Sequence, residues 1–239
     1  MRITDNVYVL SGSYFGAVGN RDTLGDVYGI RTADGIILID CGNPDTGIAM
    51  VKETLAYYRI NDSITHLIVT HAHHDHCGSA RVIQEAGALV IVGAEDERQC
   101  IGGGLVDQKT PFELSHAFPT FIPDITVADD CEKSFAGLNI KFYKTPGHTP
   151  GSMSVFINID GKKILFTGDA LQPAGGQLDS VSFGWQGDVG FSRESVVSSM
   201  MKLMDVDIDI ILPGHGKVCL KNGNDMIRFA AQTAFLTMR

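Results

Sequence analysis

No CxxC pair occurs among the five scattered cysteines, Cys41, Cys77, Cys100, Cys131 and Cys219. A cysteine zinc ribbon and a disulfide framework are therefore not expected, and the thiols read as reduced. No apolar run approaches the roughly 20 residues that a membrane-crossing helix needs. No cluster of lysine or arginine relieves the formal charge of −9, so neither nucleic acid nor an anionic membrane is an expected partner. The opening stretch, MRITDNVYVLSGS, has neither the basic start nor the long apolar core of a signal peptide, and the cytoplasm is the expected location. Tryptophan is nearly absent too, with Trp185 the single copy.

What is present is a series of short β-branched runs alternating with helical patterns. NVYVL and DVYGI read as strands. GIILID (Gly35–Asp40) is continuously apolar up to its last residue, as a strand buried on both faces would be. After Pro44, the spacing of Ile48, Val51, Leu55 and Tyr58 predicts a helix. HLIVT (His66–Thr70) is a second buried strand, and SARVIQEAG reads as a helix capped by Ser79 and ended by Gly87. ALVIV is a further strand, whereas residues 94–130 look irregular.

Strands resume with LNIKFYKT, SVFINI and KKILFTGD, and a glycine-rich loop covers 171–191. From Ser192 a helix carries Val196, Val197, Met200, Leu203 and Met204, with Met200, Met201 and Met204 read as core. DIIL is a last strand before PGHG, and NDMIRFAAQTAFLTMR closes the chain as a helix. No low-complexity linker divides this series. The expectation is one domain over 1–239, of α/β class, with two similar halves of a sheet sandwich and helices outside.

The densest chemistry lies in THAHHDHCGS, which places four of the eight histidines within His71–His76. Such crowding gains nothing in packing. Imidazole suits zinc, iron or copper and carboxylate suits harder cations, so a mixed set directly after a buried strand fits a borderline divalent metal. His71 and His73, two residues apart, reach one ion, while Asp75 and His76, further round the loop, suit a second. Three more segments repeat the plan of strand, tight turn and one ligand-type residue: KTPGHTPGS with His148, ILFTGDA with Asp169 and IILPGHG with His215. A lone histidine after a strand is more often structural, but four segments with the same chemistry are not.

The HxHxDH motif followed by separate His, Asp and His motifs resembles the metallo-β-lactamase-fold hydrolase superfamily, and LIDCG (Leu38–Gly42) looks like that family's LIDTG strand. The match runs in order from about Val7 to Gly216, and its overall set is closest to the glyoxalase II-like group. The resemblance implies a four-layer αβ/βα sandwich with a two-metal site at one edge. It assigns His71, His73 and His148 to one ion and Asp75, His76 and His215 to the other, with Asp169 bridging. Two divalent ions per chain are implied, zinc foremost, with iron or manganese as the other candidates. A bridging aspartate, rather than a cysteine, points away from an antibiotic-destroying enzyme. Two dications, two carboxylates and a hydroxide leave a net charge near +1, suited to polarising an acyl or phosphoryl oxygen.

The implied reaction is hydrolysis of a small ester, thioester or lactone through a metal-bridging hydroxide, with Asp75 as catalytic proton acceptor or orienting group. The alternative is a mononuclear iron enzyme resembling the persulfide dioxygenases. Only 23 residues follow Gly216, short of the helical glutathione-binding region of a true glyoxalase II. Asp40, a charge ending a buried strand, is expected to hydrogen-bond a metal-binding histidine from outside. His74 is expected to face solvent or bond locally, Cys41 and Cys77 to pack, His66 to be structural, and His116 to sit in a surface loop rather than to reach the site. The small-molecule pocket is expected in the loops around the metal edge, where Tyr14, Phe15, Arg21, Phe183 and Trp185 are candidates for its wall or lid and equally for anchors of the loops themselves. A homo-oligomer is compatible with this composition.

Overall fold

The computed structural model describes residues 1–12, 24–106, 116–173 and 180–238. Tyr14, Phe15 and Arg21 lie outside these residues. The first half of the chain forms a six-stranded sheet in sequential order: β1 (Val7–Ser11), β2 (Val27–Thr32), β3 (Gly35–Ile39), β4 (Ile64–Ile68), β5 (Leu89–Gly93) and β6 (Ile125–Val127). Strands β1 to β3 pair antiparallel and β3 to β6 pair parallel. The second half supplies β7 (Cys131–Phe135), β8 (Leu138–Lys144), β9 (Met153–Ile159) and β10 (Lys162–Gly168). A short hairpin of β11 (Gln172–Pro173) and β12 (Val181–Ser182) follows, then β13 (Ile210–Pro213). Its five-stranded sheet runs in the order β13, β10, β9, β8, β7.

Helices cover the outer faces. Against the first sheet lie α1 (Gly47–Tyr57), the single turn α2 (His74–Cys77), α3 (Ala80–Glu85) and α4 (Glu97–Gly102); against the second lie α5 (Arg193–Leu203) and α6 (Gly223–Thr237). The period-2 alternation of a strand then explains the continuously apolar sequence of β3. Ile37 and Ile39 point into the core between the sheets, beside Tyr28, Ile140, Phe142, Ile157 and Phe166, while Ile36 and Leu38 point outward to Val51 and Leu55 of α1. In β10, Ile164 and Phe166 face the central core and Leu165 faces α5 and α6. The Tyr28 hydroxyl donates to the Pro213 carbonyl at 2.6 Å and its ring meets Phe166 edge-on, tying the two halves together.

This is the αβ/βα sandwich the sequence motifs imply, and the differences from the sequence reading are local. The strand over His66–Thr70 begins and ends two residues earlier, leaving Val69 and Thr70 in the loop that follows. Ser79 precedes α3 without capping it through its side chain; its hydroxyl donates instead to the Asn43 carbonyl at 2.8 Å. Met201 and Met204 are not core, being 49% and 40% exposed, because α5 buries Val196, Ser199, Met200 and Leu203. Within 94–130 the structure adds α4 and β6, and before β8 it adds β7. Among the described residues no helix is long and apolar enough to cross a membrane.

Candidate metal centre

Both sheets deliver their strand ends to one edge of the sandwich. From the end of β4 the chain runs through Thr70 to His76; β8, β10 and β13 are followed by His148, Asp169 and His215. Backbone bonds lock these loops together: Met153 N–H donates to the Thr70 carbonyl at 2.9 Å and Gly214 N–H to the Gly168 carbonyl at 2.8 Å. Gly168 has φ +49°, and a Cβ there would lie 2.5 Å from Thr70 Oγ1, so only glycine allows β10 to end against the histidine loop.

The candidate ligand atoms fall into two clusters sharing one wall. In the first, His71 Nε2 and His148 Nε2 stand 3.1 and 2.9 Å from His73 Nδ1. In the second, His215 Nε2 is 3.2 Å from His76 Nε2 and 3.0 Å from Asp75 Oδ2. Asp169 lies between them. Its Oδ2 is 3.5 Å from His148 Nε2 and 3.7 Å from His215 Nε2, and its Oδ1 is 3.5 Å from His76 Nε2. Each trio (His71, His73, His148; Asp75, His76, His215; and also His71, His76, Asp169) has its ligand atoms within 4.8 Å of one another.

The outer nitrogens decide which atoms face inward. His76 Nδ1 lies 2.8 Å from Asp40 Oδ2, which assigns a proton to Nδ1 and leaves Nε2 as the nitrogen that faces inward. Asp40 itself adopts φ +58° and also accepts the Thr70 N–H at 2.7 Å and hydroxyl at 2.8 Å. The Thr70 oxygen in turn accepts from His71 Nδ1 at 3.1 Å, so one carboxylate orients two imidazoles. His73 is held by a residue that the sequence reading did not single out: its Nε2 is 3.0 Å from Asp188 Oδ2. A second such residue is Asp96, fully enclosed, which accepts from Ala72 N–H, the Thr149 hydroxyl and Gly151 N–H, each at 2.8 Å. It straps the His71–His73 loop to the His148 loop.

Electrostatics divides the clusters. Burial, followed by the neighbouring imidazoles, pushes His71 well below the ordinary histidine range. Burial takes His148 to about 4, only partly offset by Asp169. Burial opposes charge on His73 as well, but the Asp188 hydrogen bond and charge outweigh it and raise the group. In the other cluster burial is overcome by Asp75, Asp169 and Asp40, which carry His76 to about 10, and by Asp169 and Asp75, which carry His215 to about 8. Burial disfavours ionised Asp75 and Asp169, yet the histidines hold both carboxyls below the usual range.

The donor set fits divalent ions. Imidazole nitrogens facing each other across 2.9–3.2 Å are poor partners for one another, and Asp169 Oδ1 is buried without a hydrogen bond. Leaving such an atom unsatisfied costs about 1–3 kcal/mol or more for a charged group, which a cation at about 2.0–2.2 Å would remove. Five histidines and two aspartates meet in this way. Of the other sequence candidates, His74 is partly buried and makes a local contact, its Nδ1 lying 3.5 Å from Asp75 Oδ1. Its ring meets His116 edge-on at 4.3 Å, and burial lowers it to about 4. Cys41 and Cys77 are fully enclosed outside the ligand clusters, and His66 packs on Phe135. Phe183 is buried in the outer core of the second half, whereas Trp185 is 46% exposed.

A family model described as the metallo-beta-lactamase superfamily matches residues 21–215. A hydroxyacylglutathione hydrolase, GloC, of Haemophilus influenzae is 33% identical over 154 residues, covering 63% of this chain and 68% of that protein. A probable metallo-hydrolase of Methanocaldococcus jannaschii is 29% identical over 183 residues, covering 76% and 83%. Among solved structures, the native FEZ-1 metallo-beta-lactamase from Legionella gormanii superposes with a TM-score of 0.75 at 20% identity, covering 98% of this chain and 92% of that one. At that identity the likeness is one of fold.

Proposed function

The chain belongs to the metallo-beta-lactamase superfamily, whose members include metal-dependent hydrolases, and from that premise we propose a two-metal hydrolase of small esters, thioesters or lactones. The observation that carries this reading is Asp169, a buried carboxylate set between two separate ligand clusters, with Oδ2 near His148 of one and His215 of the other. His71, His73 and His148 would hold one ion, Asp75, His76 and His215 a second, and Asp169 both. Zinc suits this mixture of imidazole and carboxylate best, ahead of iron or manganese. When bound, such a pair supplies Lewis acidity toward a carbonyl oxygen and lowers the pKa of coordinated water toward about 7.

The protein's own groups do the rest. Asp75, whose Oδ2 lies 3.0 Å from His215 Nε2, would orient the attacking water and accept its proton. Asp40, through His76 and Thr70, fixes the tautomers that present ligand nitrogens inward. The overall charge of −9 supports a small molecule rather than nucleic acid as substrate; the cytoplasm and a homo-oligomer belong to the same proposal. A hydroxyacylglutathione hydrolase among the relatives supports including acyl-glutathiones.

The test is hydrolysis of an aryl ester, a lactone and an acyl-glutathione by the zinc-loaded protein, before and after chelation. Turnover of at least one substrate that disappears on chelation and returns with zinc is expected. A protein carrying two ions that hydrolyses none of them would sink the proposal.

A further inference from the structure

The segment 183–190 crosses over the three-histidine cluster and is fastened to it at both ends. At its start Phe183 is buried in the outer core, and Gly184 follows with φ +72°. A Cβ on Gly184 would lie 2.4 Å from His148 Nδ1 and 3.0 Å from the Asp169 carbonyl, so the backbone rests directly on that imidazole. At its end, Asp188, with a side chain 10% exposed, accepts from His73 Nε2 at 3.0 Å through Oδ2 and from Gly190 N–H at 2.6 Å through Oδ1. Two residues further, Ser192 N–H donates back to the carbonyl of Gly147, next to His148. Between the two fastenings stands Trp185, exposed, its ring over Gly187.

Resting on the two-metal reading, we propose that Asp188 is a positioning residue for the three-histidine cluster and that metal occupancy there sets the placement of the Trp185 loop. The coupling follows from the shared imidazole. Asp188 fixes the His73 ring with Nδ1 inward, and partners of this kind are worth 10–100-fold in metal affinity. Linkage is reciprocal: whatever factor Asp188 contributes to metal binding, metal contributes to the docking of Asp188, and hence of the loop. An ion on Nδ1 polarises the Nε2–H toward the carboxylate, strengthening a bond that crosses from the first half of the sandwich to a loop of the second. The single tryptophan would thus be placed beside the metal edge as the site fills, as an apolar contact for the acyl part of a substrate.

Asp188→Asn separates this role from simple turn formation. An asparagine oxygen still accepts from Gly190 N–H, but its amide nitrogen cannot accept from His73. The experiment is zinc binding by the full chain in competition with a chelator, with Trp185 emission followed in the same titration. In the unmodified protein, two zinc ions and an emission change on filling are expected. In D188N the expectation is a 10–100-fold weaker affinity for one ion, the other unchanged, an unaltered apoprotein melting temperature and loss of the emission change. Unchanged affinities, or an emission change that persists, would overturn the proposal. So would equal weakening of both ions with a lowered melting temperature, which marks a purely structural role. Failure of the unmodified protein to take up zinc would overturn the two-metal reading as well, and that result is distinct from the others.

Discussion

The two clusters at the sandwich edge are made of opposite materials. One is three imidazoles, two of them driven neutral by burial, steadied from outside by loop residues: Asp188 on His73, and Asp96 on the backbones beside His71 and His148. The other mixes a carboxylate with two histidines whose protonated forms are favoured, and its support is Asp40, fully buried at the end of a central strand. The first cluster thus has no carboxylate of its own and is loop-supported, the second acid-rich and sheet-supported. Asp169 alone belongs to both. A trio without a carboxylate of its own offers a dication less Coulombic attraction and a less rigid frame, so the three-histidine cluster is the one expected to exchange its ion more readily.

Removing the shared residue should have the largest effect. Asp169→Ala is expected to lower kcat/KM by at least about 10³-fold, equivalent to about 4 kcal/mol, and to weaken both ions. A variant retaining two ions and most of its turnover would show that the clusters work independently. Next, His148→Ala and His215→Ala each break one cluster, and each should reduce bound metal from two ions to one by elemental analysis. If either loses both, the clusters do not bind separately. Smallest is Asp40→Asn, which should weaken the ion at His76, its direct partner, by 10–100-fold in chelator competition and the ion at His71, reached through Thr70, by less. Weakening confined to the His73 ion would invert the assignment of supports.

How much of this was legible in the sequence follows from where each residue draws its meaning. The candidate ligand set was legible because each member lies in a loop that follows an apolar strand, so strand end and side chain are read together. Asp40 was legible for the same reason, a charge closing GIILI. Asp96 carries a weaker form of that signal, three residues beyond LVIVG, in a stretch read as irregular because its helix is only Glu97–Gly102. Asp188 carries none: it matters only because the 183–190 loop closes onto a histidine 115 residues away. Strand β7 was missed because Glu132, Lys133 and Ser134 are all exposed at the sheet edge, erasing the period-2 pattern. Met201 and Met204 were misplaced because α5 turns a narrower apolar face inward than its composition suggests.

The direct test of two clusters sharing one carboxylate is the metal content per chain of protein purified without chelator or added metal, measured by native mass spectrometry. Near two zinc ions per chain, both removed by chelation with loss of hydrolysis, is the predicted result. Near one iron per chain, with thiol-dependent oxygen uptake on persulfides, would contradict it.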